Sequence, residues 1–322
     1  MSRPVDVPAL VEAARAGSPR ALARLLSLVE DAHPALREVM AALAPFGGRA
    51  WVVGLTGSPG VGKSTTTSAL VTALRAKGSR VGVLAVDPSS PFSGGALLGD
   101  RIRMQDHATD PGVFIRSMAT RGHLGGLSWA TPQALRVMDA AGCDVVLVET
   151  VGVGQSEVEV ASLADTTLVL LAPGMGDGIQ AAKAGILEIG DVFCVNKADR
   201  DGADATARDI EHMVRLGGDQ RAPGAWRPRV VKTVAAKGEG VEELLEALAA
   251  HHDHARGSGE LHARRLRRAA GEIEAITVTA LRQRIGDLRT GHGLEDLAAG
   301  VVAGETDPWT AADGLLADLT RA

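Results

Sequence analysis

The sequence has few cysteines and no surplus of basic residues, and both shortages narrow the class of protein. Only Cys143 and Cys194 occur in 322 residues. Each stands beside or within a short apolar run, which indicates two small buried residues in a reducing compartment rather than a disulfide. Acidic side chains outnumber basic ones by 39 to 34, so the charge balance gives no support for a nucleic-acid or membrane-surface partner.

Long apolar runs are also missing. No run approaches the roughly 18–20 residues that a membrane span requires, and the first residues lack the apolar region of a signal peptide. The composition is 45% hydrophobic and 23% charged, which is typical of a folded globular protein. We therefore expect a cytoplasmic protein with one large core and a smaller appendage.

A glycine-rich segment at 57–64, Gly-Ser-Pro-Gly-Val-Gly-Lys-Ser, follows a β-branched apolar run at 51–56 and precedes a helical stretch. This order is the context that a phosphate-binding P-loop requires, because the glycines let successive backbone N–H groups point at an anion. Lys63 is predicted to reach the β- and γ-phosphates and Ser64 to ligate Mg²⁺. The predicted nucleotide contacts are Gly57, Ser58, Pro59, Gly60, Val61, Gly62, Lys63, Ser64 and Thr65.

Strands alternate with helices from residue 51 to about 250, which predicts an α/β fold: a doubly wound, mostly parallel sheet of the P-loop NTPase type. The expected strands are 51–56, 80–86, 112–117, 144–150, 166–172, 192–196 and 229–234. The expected helices between them are 64–77, 128–141, 177–190, 202–216 and 240–250. We predict three parts: an N-terminal helical segment at 1–48, the P-loop domain at 49–252, and a C-terminal helical arm at 253–322.

Three acidic residues are candidates for a Mg²⁺ site. Asp87 ends the second predicted strand, although it could instead cap the turn before Pro88. Asp100 lies in a glycine-rich loop suited to a switch, and an ordinary helix cap fits it equally well. Glu149 ends the apolar strand beside the P-loop strand, which is typical of a Walker-B position.

The loop after Glu149 contains Gly152 and Gly154, which would let backbone N–H groups approach the γ-phosphate. Gln155 is a candidate to orient the attacking water, with a structural or interface role as the alternative. The catalytic candidates are therefore Lys63, Glu149 and Gln155.

Asn196-Lys197-Ala198-Asp199 follows another predicted strand and points to the identity of the base. A carboxylate only accepts hydrogen bonds, so Asp199 can take the ring N–H and the exocyclic amine of guanine, an arrangement that adenine does not present. Asn196 is expected to tie this loop to the P-loop, and the Lys197 stem to cover the flat face of the base. Backbone N–H groups at Ala235 and Ala236 are expected near the guanine oxygen.

Other features leave more than one interpretation open. Arg121 and His123 fit either a switch or partner contact or a solvated loop. Lys183 fits either a pair with Asp87 or Glu149 when Mg²⁺ is absent or an ordinary surface position. His251, His252, His254 and His262 form a cluster in a region interpreted as a polar hinge, where metal binding is the less favoured alternative. Residues 260–289 place apolar side chains at helical spacing, which predicts a long helix with one stripe to bury against this chain or a second subunit.

Five motifs together resemble the methylmalonyl-CoA-mutase-associated GTPases, the G-protein chaperones of a cobalamin-dependent mutase. They are the P-loop, Asp87-Pro-Ser-Ser-Pro, Glu149-Thr-Val-Gly-Val-Gly-Gln-Ser-Glu157, Pro-Gly-Met-Gly-Asp177 and Asn-Lys-Ala-Asp199. The resemblance covers nearly the whole chain and is most specific over 51–200. Val234 stands where the family usually has serine, a departure that bears on affinity rather than on base choice.

The resemblance implies GTP hydrolysis on Mg²⁺ with a slow intrinsic rate, and a homodimer held partly by the C-terminal arm. It also implies gating of adenosylcobalamin delivery to methylmalonyl-CoA mutase and protection of that enzyme. By matching position, Asp87, Asp100 and Glu149 would surround Mg²⁺, and the loop at 173–183 would be a switch that answers to the mutase. The alternatives are a kinase or ATPase of an arginine/ornithine transport system and a nickel or cobalt metallochaperone.

The base assignment gives a first test. We expect Asp199→Asn to weaken GTP binding by about 1–3 kcal/mol, because charged hydrogen bonds to the base edge are lost. Isothermal titration with GTP and ATP measures both the loss and the base preference. Equal affinity of the parent protein for the two purines would contradict the assignment.

Overall fold

The computed structural model describes residues 5–87, 107, 109–119, 130–150, 156–174, 186–218, 224–289 and 293–321. The chain divides into two compact units, Met1–Arg265 and Leu266–Ala322. The first unit contains the N-terminal helices and the sheet together. The domain limits predicted from the sequence, after residues 48 and 252, stay predictions.

A seven-stranded sheet forms the centre of the first unit, and every pairing in it is parallel. The strand order is β3-β2-β4-β1-β5-β6-β7. All seven predicted strands are present, with ends within two residues of the prediction. They are β1 Trp51–Thr56, β2 Val81–Asp87, β3 Val113–Ala119, β4 Val145–Thr150, β5 Thr166–Leu171, β6 Val192–Asn196 and β7 Arg229–Thr233.

Helices connect the strands, and further helices precede β1 and follow β7 along the chain. In the first unit they are α1 Val7–Arg15, α2 Pro19–Glu30, α3 Leu36–Leu43, α4 Lys63–Ala76, α5 Thr131–Ala140, α6 Ser156–Leu163, α7 Ile186–Ile189, α8 Ala203–Gly218 and α9 Val241–Ser258. The second contains most of α10 Glu260–Arg289, together with α11 Gly293–Val302 and α12 Pro308–Arg321. None of the helices in the described ranges combines the length and apolarity that crossing a bilayer would take.

The core lies in two layers, one on each face of the sheet. Alternate residues of β1 belong to different layers: Val52 to one, and Val53 and Leu55 to the other. The N-terminal helices belong to the first layer, where Leu25 and Leu26 of α2 are fully buried. Since burying one leucine side chain contributes about 1.5–3 kcal/mol, these helices are part of the same folding unit as the sheet.

One element of the sequence interpretation is wrong. The histidines at 251, 252 and 254 do not lie in a polar hinge, because α9 continues to Ser258 before Gly259 adopts a φ of +81°. His251 is fully buried, with Nδ1 2.9 Å from the Thr166 hydroxyl. A helical face that packs on the sheet therefore accounts for this histidine.

Three aspartates cap the amino edge of the sheet. Each stands immediately before a strand and accepts a backbone N–H from a neighbouring chain segment: Asp144 from Arg80 at 2.7 Å, Asp165 from Val52 at 3.1 Å, and Asp191 from Thr167 at 2.8 Å. A carboxylate can accept several hydrogen bonds at once. These side chains thus satisfy backbone donors at the start of the sheet.

Two of these aspartates also bind the first turns of α10. Arg264 makes a bidentate pair with Asp191 at 2.7 and 2.8 Å. Arg265 pairs with Asp165 at 2.7 and 3.2 Å. Burial by itself raises the pKa of Asp191, but the hydrogen bonds from His251 and Arg264 outweigh it and hold that pKa below its ordinary value. The carboxylate is therefore a stabilising charge in the folded protein.

The Asp191 network predicts a defined loss of stability. We expect Asp191→Ala to lower the free energy of unfolding at pH 7 by about 2–4 kcal/mol, since it removes the acceptor of the Thr167 N–H and the bidentate partner of Arg264. Arg264 keeps its contacts to Glu260 and the Asp165 carbonyl. A carboxylate with a lowered folded pKa stabilises above its unfolded pKa, so the gap between parent and variant should shrink below about pH 4. Urea unfolding at several pH values measures both effects.

Asp204 supplies the matched control, because its pair with Lys232 is exposed. We expect Asp204→Ala to leave the free energy of unfolding close to that of the parent. Equal losses in the two variants would contradict a special role for the buried pair.

Candidate nucleotide site at the carboxyl edge of the sheet

The glycine-rich loop after β1 leads directly into α4, as the sequence predicts. At Gly57, which has a φ of +141°, an added Cβ would lie 2.3 Å from the Leu170 carbonyl oxygen. At Gly62, with a φ of +97°, it would lie 2.4 Å from Asn196 Nδ2. Both positions therefore require glycine for conformation and for space.

Lys63 begins α4 and turns its ammonium group into the loop. Nζ donates to the carbonyl of Gly57 at 2.6 Å and to that of Ser58 at 3.1 Å. The residue is buried. The loop thus holds a positive charge at the amino end of a helix, where the helix dipole also favours an anion.

Glu149 lies at the end of β4, next to the P-loop strand. It pairs in register with Leu55 of β1 and has an exposed fraction of 3%. The Ser64 hydroxyl donates to Oε1 at 2.6 Å, and the Thr67 hydroxyl lies 2.9 Å from Oε2. The sheet therefore brings together Ser64 and Glu149, two of the predicted metal ligands.

Thr67 is a residue of this cluster that the sequence interpretation missed. Its spacing contains the signal, because a residue three positions after Ser64 lies on the same face of a helix. Nothing in the linear sequence shows that Glu149 approaches that face.

Of the remaining predicted metal and catalytic residues, Asp87 alone lies within the described residues. Asp87 is the last residue of β2, which adjoins β4 with Ala85 opposite Glu149. Asp87 and Glu149 thus lie near the ends of neighbouring parallel strands. Asp100, Arg121, His123, Gln155, Asp177 and Lys183 lie outside the described residues.

Asn196 joins the predicted base-binding loops to the P-loop. Its Nδ2 donates to the Val61 carbonyl at 2.9 Å, and its Oδ1 accepts from the Thr233 hydroxyl and the Ala235 N–H, each at 3.1 Å. The predicted tie between Asn196 and the P-loop is thereby confirmed. The Ala235 N–H, expected at the guanine oxygen, donates here to Asn196 instead.

Lys197 and Asp199 complete the second loop. Lys197 has a φ of +58°, an uncommon conformation for a non-glycine residue. Its Nζ donates to the Gly60 carbonyl at 2.6 Å, so the stem of Lys197 crosses from this loop to the P-loop. Asp199 is exposed and lies 3.4 Å from the Lys237 ammonium.

A groove of about 700 Å³ runs along α4 beside these loops. Thr65, Ala235 and Ala236 line it together with later residues of α4 and the start of α9. Three residues predicted to contact nucleotide therefore border this groove, and its lining includes none of residues 57–64.

The donor set fits Mg²⁺. A hydroxyl and a carboxylate 2.6 Å apart supply the oxygen ligands that this ion prefers, with room left for water and phosphate. By contrast, no group of three or more His, Cys, Asp or Glu side chains with metal-binding geometry occurs in the described parts of the chain. His251, His252 and His254 are among the described residues, so the described structure adds no support for the metallochaperone alternative.

One parallel sheet carries a glycine loop that opens a helix, an acid at the end of the adjacent strand and an Asn-Lys-x-Asp loop. Together these features define a P-loop nucleotide-binding protein of the α/β class. The family follows from comparison with known sequences. The chain belongs to the family described as methylmalonyl Co-A mutase-associated GTPase MeaB, whose model matches residues 22–289.

Relatives extend over most of the chain. A Pyrococcus abyssi protein described as a candidate GTPase is 46% identical over 96% of both chains. GTPase ArgK of Escherichia coli is 40% identical over 73% of this chain and 72% of its own length. The methylmalonic aciduria type A homolog, mitochondrial, of Mus musculus is 38% identical over 77% of this chain and 64% of its own.

A solved structure agrees on the fold. A crystal structure of LAO/AO transport system kinase matches with a TM-score of 0.71 at 27% identity, covering 99% of this chain and 100% of the other. The predicted P-loop α/β fold and the predicted family are both confirmed.

The Asn196 contacts generate a prediction about the coupling of the loops. We expect Asn196→Ala to lower nucleotide affinity and to destabilise the protein by about 1–3 kcal/mol, because a buried carbonyl and a buried N–H lose their partner. Nucleotide titration and thermal unfolding measure the two effects. Lys237→Ala, which removes an exposed contact to Asp199, serves as the control and should leave stability within about 0.5 kcal/mol of the parent.

Proposed function

We propose that this chain is a cytoplasmic GTPase that gates adenosylcobalamin loading of methylmalonyl-CoA mutase and protects that enzyme. The contact from Asn196 to Val61 carries the nucleotide part of the proposal. It joins the loop suited to guanine to the loop suited to phosphates, so that one ligand with both groups can bind across them. Both thiols are free and buried, which supports a reducing compartment.

In this proposal each group at the site has a defined task. Lys63 binds the β- and γ-phosphate oxygens as a positive charge, and the backbone of 57–62 cradles them. Ser64 and Glu149, with Asp87 and Asp100, hold Mg²⁺, which when bound neutralises charge on the phosphates. Gln155 orients the attacking water.

Base selection belongs to the second loop. Asp199 accepts from the guanine edge, Lys197 covers the ring, and the backbone at Ala236 closes over it. Asn196 sets the distance between base and phosphates. The protein thus binds GTP, whose γ-phosphate orders the switch loops. Hydrolysis of GTP releases these loops.

The partner is inferred from relatives. The family description contains the mutase, and the mouse relative carries the name of methylmalonic aciduria type A. A homodimer is also part of the proposal. It is supported by α10, where Leu266, Ile273, Ile276 and Leu281 are exposed at spacings of three to seven residues.

Phosphate release from GTP tests the proposed function. We expect slow turnover by the protein alone and a clear rise when purified methylmalonyl-CoA mutase is added, because the partner biases the switch loops toward the hydrolytic arrangement. Lys63→Ala should abolish turnover under both conditions. The control is Lys77→Ala. Lys77 is an exposed lysine just past the end of the same helix, where it pairs with Glu242, and its replacement should leave turnover intact.

Two other outcomes would contradict the proposal in different ways. A rate that the mutase leaves unchanged would remove the partner while keeping the GTPase. Transfer of the γ-phosphate to a transport protein would instead favour a kinase, the activity that names the solved structural relative.

A further inference from the structure

Thr67 approaches the side of the Glu149 carboxylate away from Ser64. Its Oγ1 lies 2.9 Å from Oε2, while the Ser64 hydroxyl donates to Oε1 at 2.6 Å. Ser64 and Thr67 are three residues apart on α4 and therefore lie on one face of the helix. One helical turn thus contacts both oxygens of a carboxylate that belongs to a different element, β4.

The Thr67 hydroxyl has two acceptors within reach. Besides Oε2 it lies 3.0 Å from the Lys63 carbonyl oxygen. A hydroxyl has one proton, and a bond to a charged acceptor is about twice as strong as a bond to a neutral one. The proton therefore goes to the carboxylate, while the carbonyl contact helps to orient the hydroxyl.

A glutamate side chain has three rotatable bonds, and one hydrogen bond leaves the plane of its carboxylate free to turn about that contact. A second bond, to the other oxygen, fixes the plane. Groups that orient a metal ligand in this way typically change metal affinity by about 10–100-fold when removed.

We propose that Thr67 is a positioning residue for the Mg²⁺ site. It fixes the Glu149 carboxylate in the orientation in which the other oxygen accepts the hydrogen bond from Ser64. The inference rests on the proposed nucleotide and Mg²⁺ site. In this role Thr67 acts through Glu149 and is not itself a ligand of nucleotide or metal.

The neighbouring residue offers a matched control. Thr66 is also fully buried on α4, but its Oγ1 has no hydrogen-bond partner among the described residues. Replacing either threonine by valine conserves volume and removes a buried hydroxyl. Only the change at Thr67 removes a contact to Glu149.

The experiment compares Thr67→Val, Thr67→Ser and Thr66→Val in the full-length chain. The readout is the release rate of a fluorescent GDP analogue as a function of Mg²⁺ concentration, with thermal unfolding measured beside it. We expect the Mg²⁺ midpoint to rise about tenfold or more in Thr67→Val, with Mg²⁺-free release unchanged. Thr67→Ser, which keeps the hydroxyl, and Thr66→Val should each stay within about twofold of the parent.

Contrary results separate this inference from the proposed function. Equal Mg²⁺ midpoints for Thr67→Val and Thr66→Val would show that Thr67 is only a core residue. A parent protein that binds no guanine nucleotide would overturn the proposed function and this inference together. If Thr67→Val does not fold, Thr67→Ala, which also removes the hydroxyl, is judged by the same criterion.

Discussion

Parallel pairing of β1 with β4 is the constraint on which the candidate site depends. It sets Leu55 opposite Glu149, so the carboxylate at the end of β4 lies beside α4, the helix that follows β1. Ser64 and Thr67 of α4 then contact the two oxygens of that acid. A shift of one residue in the register would point Glu149 to the opposite face of the sheet, since successive side chains of a strand alternate.

The same sheet separates two kinds of chemistry by its two edges. At the carboxyl edge, polar side chains are arranged around a loop suited to phosphates. At the amino edge, Asp165 and Asp191 satisfy strand donors and bind Arg265 and Arg264. The charges of Asp165 and Asp191 are paired with arginines, whereas the loops of the carboxyl edge combine donors and acceptors suited to a ligand. Apart from Asn196, stability and binding thereby depend on different residues.

Asn196 shows how one buried amide can serve both demands. It satisfies the Val61 carbonyl, the Thr233 hydroxyl and the Ala235 N–H, and it fills the space that the missing side chain of Gly62 leaves. A buried polar group of this kind is stable only when its partners are present. The P-loop and the base-binding loops therefore support one another.

The linear sequence by itself determined the seven strands, the parallel α/β class, the P-loop and the Asn-Lys-x-Asp loop, because local periodicity and glycine spacing are properties of neighbouring residues. Its motifs also indicated the family, which the comparison with known sequences confirms. Only the tertiary structure decided that Thr67 meets Glu149, that His251 is buried against Thr166, and that Arg264 and Arg265 bind Asp191 and Asp165. Those contacts join residues from 73 to 100 positions apart, and such distances are set by strand order and register, which no local pattern specifies.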